Sequence, residues 1–131
     1  MRILEKKTYL RNGVRKMTIL KALTGSIENL PSLRLHILLT KEDDVIVARC
    51  LDFSVSSHGN SETEALNSLS DSIKDYIGHA IEHDALDEII DPDEDEFWEA
   101  FRKSELQDEL LNIKENIDIL KTKKINEVTY A

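Results

Sequence analysis

The chain has 131 residues, 40% apolar and 33% charged, with a net charge of −9, which fits one domain with peripheral elements rather than two separate cores. No apolar run approaches the ~20 residues that span a bilayer, and the first seven residues, MRILEKK, lack the apolar centre of a signal peptide, so the expected location is cytoplasmic. The single cysteine, Cys50, excludes an intramolecular disulfide and a cysteine-based metal cluster.

The charge is unevenly placed. Residues 1–40 carry eight basic and two acidic side chains, whereas residues 41–131 carry nine basic and 24 acidic ones, a net −15. A body of that sign repels nucleic acid and favours a basic protein partner. Residues 1–21 are the one stretch with the sign to touch DNA.

Asn12-Gly13 favours the tight turn that joins two strands, which predicts a hairpin over residues 3–10 and 14–21. The competing reading is a helix over residues 14–23, because Met17, Leu20 and Leu23 recur at three-residue spacing and Gly25 would stop it. Residues 24–32, with Gly25 and Pro31, read as a linker. Residues 33–40 and 45–51 then flank the polar turn Lys41-Glu42-Asp43-Asp44 as an antiparallel pair, and residues 53–57 supply a third strand. Cys50, inside a Val/Ile-rich strand, reads as a small buried hydrophobe rather than a nucleophile.

Gly59-Asn60 ends the third strand, and Ser61 begins a capping box with Glu64. Beyond it Ala65, Leu66, Leu69, Ile73, Tyr76, Ile77, Ala80 and Ile81 recur at three and four residues, predicting one long helix with a single face on the sheet. Asp91 is a candidate cap with Pro92 at the first position of a second helix, on which Phe97, Trp98 and Phe101 form an aromatic face. Farther along, Leu106, Leu110, Ile113, Ile117 and Leu120 step by four and three, the spacing of a coiled-coil seam. Two readings of that stripe stand side by side: packing on the chain's own body, or self-association. Residues 127–130 are a candidate final strand.

The segments Ala48-Arg49-Cys50-Leu51-Asp52, Gly59-Asn60-Ser61 and Glu64-Ala65-Leu66, in that order and spacing, resemble the HicB-like antitoxin domain, a short β-β-β-α unit similar to a truncated RNase H fold. The resemblance covers residues 33–84 or so, with Gly59, Ser61, Glu64 and Ala65 as its structural motif. It implies a three-stranded antiparallel sheet packed by one long helix, so that with the N-terminal hairpin and C-terminal helices read from the residues above, the expected fold is α+β. The corresponding division is a basic hairpin, arm and linker at residues 1–32, the HicB-like domain at 33–90 and an acidic helical extension at 91–131. The implied function is that of an antitoxin, which binds and neutralises a small basic ribonuclease toxin of the HicA type and is not itself an enzyme. The chain departs from the family in two places. Leu51-Asp52-Phe53 stands where the family commonly has a Pro-Gly turn, and an acidic helix stands where many members carry a DNA-binding domain.

RNase H ancestry invites a search for metal-binding carboxylates, and the candidates are Asp43, Asp44, Asp52, Glu64 and Asp71. His79 and His83, four apart on one helix, have a spacing seen in zinc sites but lack the glutamate directly after the first histidine. No phosphate-binding glycine loop or Ser-His-Asp pattern occurs, so no catalytic, cofactor or metal site is expected. A homo-oligomer is expected, most simply a dimer formed through sheet edges or through the seam at Leu110, Ile113 and Ile117. The rival readings are a free-standing HicB-like dimeric scaffold or regulator without a toxin, and a divergent hydrolase.

Overall fold

The computed structural model describes residues 8–11, 15–125 and 127–130. Five strands form one antiparallel sheet in chain order: β1 (Thr8–Arg11), β2 (Arg15–Ile27), β3 (Leu30–Glu42), β4 (Val45–Cys50) and β5 (Val55–Gly59). Two helices follow, α1 (Glu62–Glu82) and α2 (Asp95–Leu120), separated by a 3-10 turn at Leu86–Glu88. The class is α+β, but the sheet is wider than the three strands expected, because β2 pairs with β3 from Met17–Glu42 to Ile27–Leu30. No described helix is long and apolar enough to cross a membrane.

The helices lie on opposite faces of the sheet. On one face Leu35, Ile37, Leu39, Ala48, Cys50 and Phe53 pack against Ala65 and Leu69 of α1. On the other, Met17, Ile19, Leu38 and Leu51 pack against Phe97, Ala100 and Phe101 of α2. Strand side chains alternate between faces, so β3 reads as a nearly unbroken apolar run at Ile37-Leu38-Leu39 because both its faces are covered. In β2 the register slips between Ile19 and Lys21. This bulge re-phases the strand, so that Leu20 and Leu23 join the α1 core while Met17, Ile19 and Ala22 join the α2 core.

Four expectations are corrected. Residues 24–32 are not a linker: β2 runs to Ile27 and β3 starts at Leu30, with Asn29 turning the chain in the left-handed region at φ 69°, a conformation asparagine tolerates. The third strand begins at Val55 rather than 53, because residues 51–54 form a turn in which Ser54 is left-handed at φ 56°. The second helix starts at Asp95 rather than Pro92. The amides of Asp91 and Asp93 are engaged by the carbonyls of Asp52 and Leu51, at 2.9 and 2.8 Å, and this ties the preceding segment down in a non-helical path. Residues 127–130 carry no strand and are exposed. The Asn12-Gly13 turn itself lies outside the described residues, but β1 and β2 pair antiparallel on either side of it, which excludes the helical alternative over residues 15–23.

Candidate functional site

The corner that carries the family resemblance is built by close packing. Ser61 caps α1, accepting the Glu64 backbone N–H on its hydroxyl at 3.1 Å. Gly59, at the end of β5, is buried beneath that first turn: a Cβ there would meet the Ala65 amide nitrogen at 2.7 Å and the Glu64 carbonyl carbon at 2.9 Å. The glycine is required by this approach and not by a left-handed backbone. Ala65 is fully buried for the same reason. Lys21 of β2 reaches Glu62 at 2.8 Å, and Ser57 of β5 meets Ser68 of α1 through their hydroxyls at 2.5 Å, so α1 is fixed on polar as well as apolar contacts.

At the far end of β4, Asp52 organises the crossing between the two layers. One carboxylate oxygen accepts the His36 backbone N–H at 2.7 Å, and the other lies 3.0 Å from His36 Nδ1. The His36 ring sits against Trp98 and Phe101 of α2, with centroids 5.1 and 5.2 Å away. The Cys50 thiol approaches the same carboxylate at 3.9 Å. Burial, followed by the nearby Asp52 charge, pushes Cys50 up to about 11, the opposite of what a nucleophilic thiol needs.

The proposed carboxylates do not converge. Asp43 and Asp44 occupy the β3–β4 turn, whereas Asp52 follows the opposite end of β4. Glu64 lies in the first turn of α1, and Asp71 is exposed farther along it. His79 and His83 are stacked with ring centroids 4.0 Å apart, and His83 Nδ1 lies 2.9 Å from the His79 carbonyl oxygen. Among the described residues no group of three or more His, Cys, Asp or Glu is arranged to hold a metal ion.

Because α1 covers β4–β5 on one face and α2 covers β2–β3 on the other, each face has an open half. The open half beside α1 is an apolar groove of about 420 Å³, lined by Leu23, Ile27, Leu35, Leu66 and Ile73 among others. The open half beside α2 is a polar depression of about 510 Å³, lined by Glu42, Val45, Val47, Arg49, Ser56 and His58 among others.

The floor of the polar depression is a buried ion pair that was not anticipated. Arg49 donates from Nη2 to Glu42 Oε2 at 2.5 Å, Thr40 donates to the same oxygen at 3.1 Å, and the guanidinium lies 4.3 Å from the centre of the Phe97 ring. Arg49 and Glu42 are 7% and 2% exposed. Strand alternation carries the signal for it, since Thr40, Glu42 and Arg49 all fall on the face opposite Leu39 and Ala48, the face on which α2 packs.

The seam residues Leu110, Ile113 and Ile117 stand in solvent, 56%, 57% and 44% exposed; they do not pack on the chain's own body. The acidic side chains concentrate elsewhere. Residues 82–99, from the end of α1 through the 3-10 turn into α2, contain ten Asp or Glu and no Lys or Arg, and most of them are exposed.

Comparison of the chain with protein-family models, with curated proteins and with solved structures finds no match to any of them.

Proposed function

We propose that this chain is a HicB-like antitoxin that binds and neutralises a small basic ribonuclease toxin of the HicA type, without catalysing a reaction itself. The observation that carries the reading is the acidic band at residues 82–99, which links α1 to α2 and holds ten Asp or Glu, most of them exposed, with no Lys or Arg among them. Such a band steers a positively charged protein into encounter and rejects nucleic acid of its own sign. The order β3-β4-β5-α1, with Gly59 seated under the Ser61 cap, supports the likeness to the HicB unit and its truncated RNase H-type topology. The strand β2 lies in the sheet with Met17 and Ile19 buried, so removing residues 1–21 would unfold the α2 core; any DNA contact through this region is tested by charge substitution at Arg15 and Lys16 instead.

The test is to search the adjoining genes for a small reading frame that encodes a basic protein, co-express it with this chain and purify the complex; the absence of such a frame also counts against the reading. Rescue of growth and a complex that weakens as salt rises support the antitoxin reading, because exposed charges lose their reach beyond a Debye length of about 8 Å at physiological ionic strength. Reversing Asp87, Glu88 and Asp95 to lysine should slow association while leaving the fold intact. A neighbouring toxin that stays lethal, or a complex indifferent to these reversals, defeats it. The rival reading, a free-standing HicB-like dimeric scaffold, has one observation in its favour, the solvent-exposed apolar stripe on α2.

A further inference from the structure

Helix α2 carries two apolar faces. Phe97, Ala100 and Phe101 bury one against the sheet. Leu106 follows Phe97 by nine residues, which at about 100° per residue places it on the opposite side of the helix. Leu110, Ile113, Ile117 and Leu120 continue that opposite face, and all five side chains are between 44% and 57% exposed. The helix rises about 1.5 Å per residue, so residues 106–120 extend the stripe over roughly 20 Å. The chain's own body cannot cover it, because the body occupies the other side.

We infer that this face is the seam of a parallel two-stranded coiled coil formed with a second copy of the same chain. The spacing of four, three, four and three residues sets Leu110 and Ile117 at one core position and Leu106, Ile113 and Leu120 at the other, the repeat that keeps a seam facing its partner. Charge decides the direction. Glu109 precedes a core position and Lys114 follows the next one; in a parallel pair each Glu109 faces the partner's Lys114, twice by symmetry. In an antiparallel pair the same side chains would face Asn116 and Gln107, with no opposite charges brought together. The short seam, just over two heptads, is anchored at one end by a folded body rather than left to nucleate alone. In the parallel pair the two sheets lie on the outer sides of the helix pair and do not compete for space. This inference does not depend on the antitoxin reading.

The experiment is the mass of the full chain in solution by light scattering and sedimentation at micromolar concentration. The expected species is twice the 15.0 kDa of the chain. Glu109→Lys alone and Lys114→Glu alone each set like charges opposite one another and should weaken the dimer roughly tenfold, on the scale of two exposed ion-pair reversals. The double variant, Glu109→Lys with Lys114→Glu, restores the complementary pairs and should restore the parent's dissociation constant. Leu110→Ser with Ile117→Ser should leave a folded monomer, checked by circular dichroism. A monomeric parent, single reversals without effect, a double variant no better than the singles, or a dimer that survives the serine substitutions would each overturn the assignment. None of these outcomes bears on toxin binding, which is measured separately.

Discussion

Helices α1 and α2 pack on the same sheet and differ in what they leave over. Helix α1 has one apolar face, and it is spent: Ala65, Leu69 and Ala80 are buried, Leu66, Ile73, Tyr76 and Ile77 are half-buried, and the large apolar residue left exposed is Ile81, near its end. Helix α2 spends its first two turns on the sheet and then presents a second, opposed stripe to solvent. A helix whose apolar residues are divided between opposite faces is hard to recognise as amphipathic as a whole, yet each half is strongly one-sided. One helix completes a core, and the other both completes a core and offers a surface.

The sharpest way to break this contrast is at Phe97. It is fully buried and lies under the Arg49 guanidinium, so Phe97→Ala should destabilise the chain by about 3–5 kcal/mol in urea denaturation. Leu110→Ala, on the other side of the same helix, should leave the stability of the diluted monomer within about 0.5 kcal/mol of the parent. Equal effects at the two positions would mean that the stripe is buried against the body after all.

Next in size is the corner under α1. Gly59→Val must push the first turn of α1 off β5, because the added Cβ meets backbone atoms that cannot swing aside, and about 1–3 kcal/mol should be lost. Ser61→Ala removes only the cap and should cost about 1 kcal/mol. A glycine variant that melts with the parent would contradict the packing described at that corner.

The chain's strand pattern was largely readable before its structure, and the exceptions have physical causes. The Ser61 cap, the long helix and the buried Cys50 follow from spacing and composition that local chemistry enforces, whereas the return bond from the Glu64 carboxylate to the Ser61 amide, the other half of the expected capping box, is not made. The β2 bulge kept a helical alternative alive beside the predicted hairpin, since it leaves Met17, Leu20 and Leu23 at three-residue intervals that mimic a helix. The start of α2 was misplaced because Asp91-Pro92 has the chemistry of a helix start, whereas the backbone bonds of Asp91 and Asp93 to the Leu51–Asp52 carbonyls are tertiary and leave no local trace. Strand alternation sets Glu42 and Arg49 on one face of the sheet, but their pairing and burial depend on a second helix packing on that face, which nothing local announces.

A smaller effect separates the two layers by pH. The thiol of Cys50 has an ordinary value near 9.0 and is raised to about 11 in the folded chain, so the unfolded chain loses this proton first. The associated stability is complete below about pH 9 and falls as pH rises through about 11. Cys50→Ala should flatten that part of the profile, and Cys50 in the folded protein should resist alkylation at pH 8 until denaturant is added. Rapid alkylation of folded protein would show that the α1 layer opens readily.

The smallest expected change is a gain. Asp84, just past the end of α1, is held left-handed at φ 53°, with the next amide, that of Ala85, bonded to the Ala80 carbonyl at 2.8 Å. Glycine is the residue such a helix end prefers, so Asp84→Gly should raise stability by about 0.5 kcal/mol, measured as a shift in the denaturation midpoint. A loss on the same assay would indicate that the Asp84 side chain contributes contacts of its own.

The far-face cluster joins Met17 to Phe97, residues separated by 80 positions in the chain. During synthesis Met17, Ile19 and Leu38 therefore emerge long before the helix that shields them, and the sheet must wait with one apolar face bare until residue 101 has left the ribosome. Such distant pairings are slow to close and leave an adhesive intermediate in the meantime. A nascent chain stalled before residue 95 should accordingly recruit chaperones, and one released after residue 120 should not.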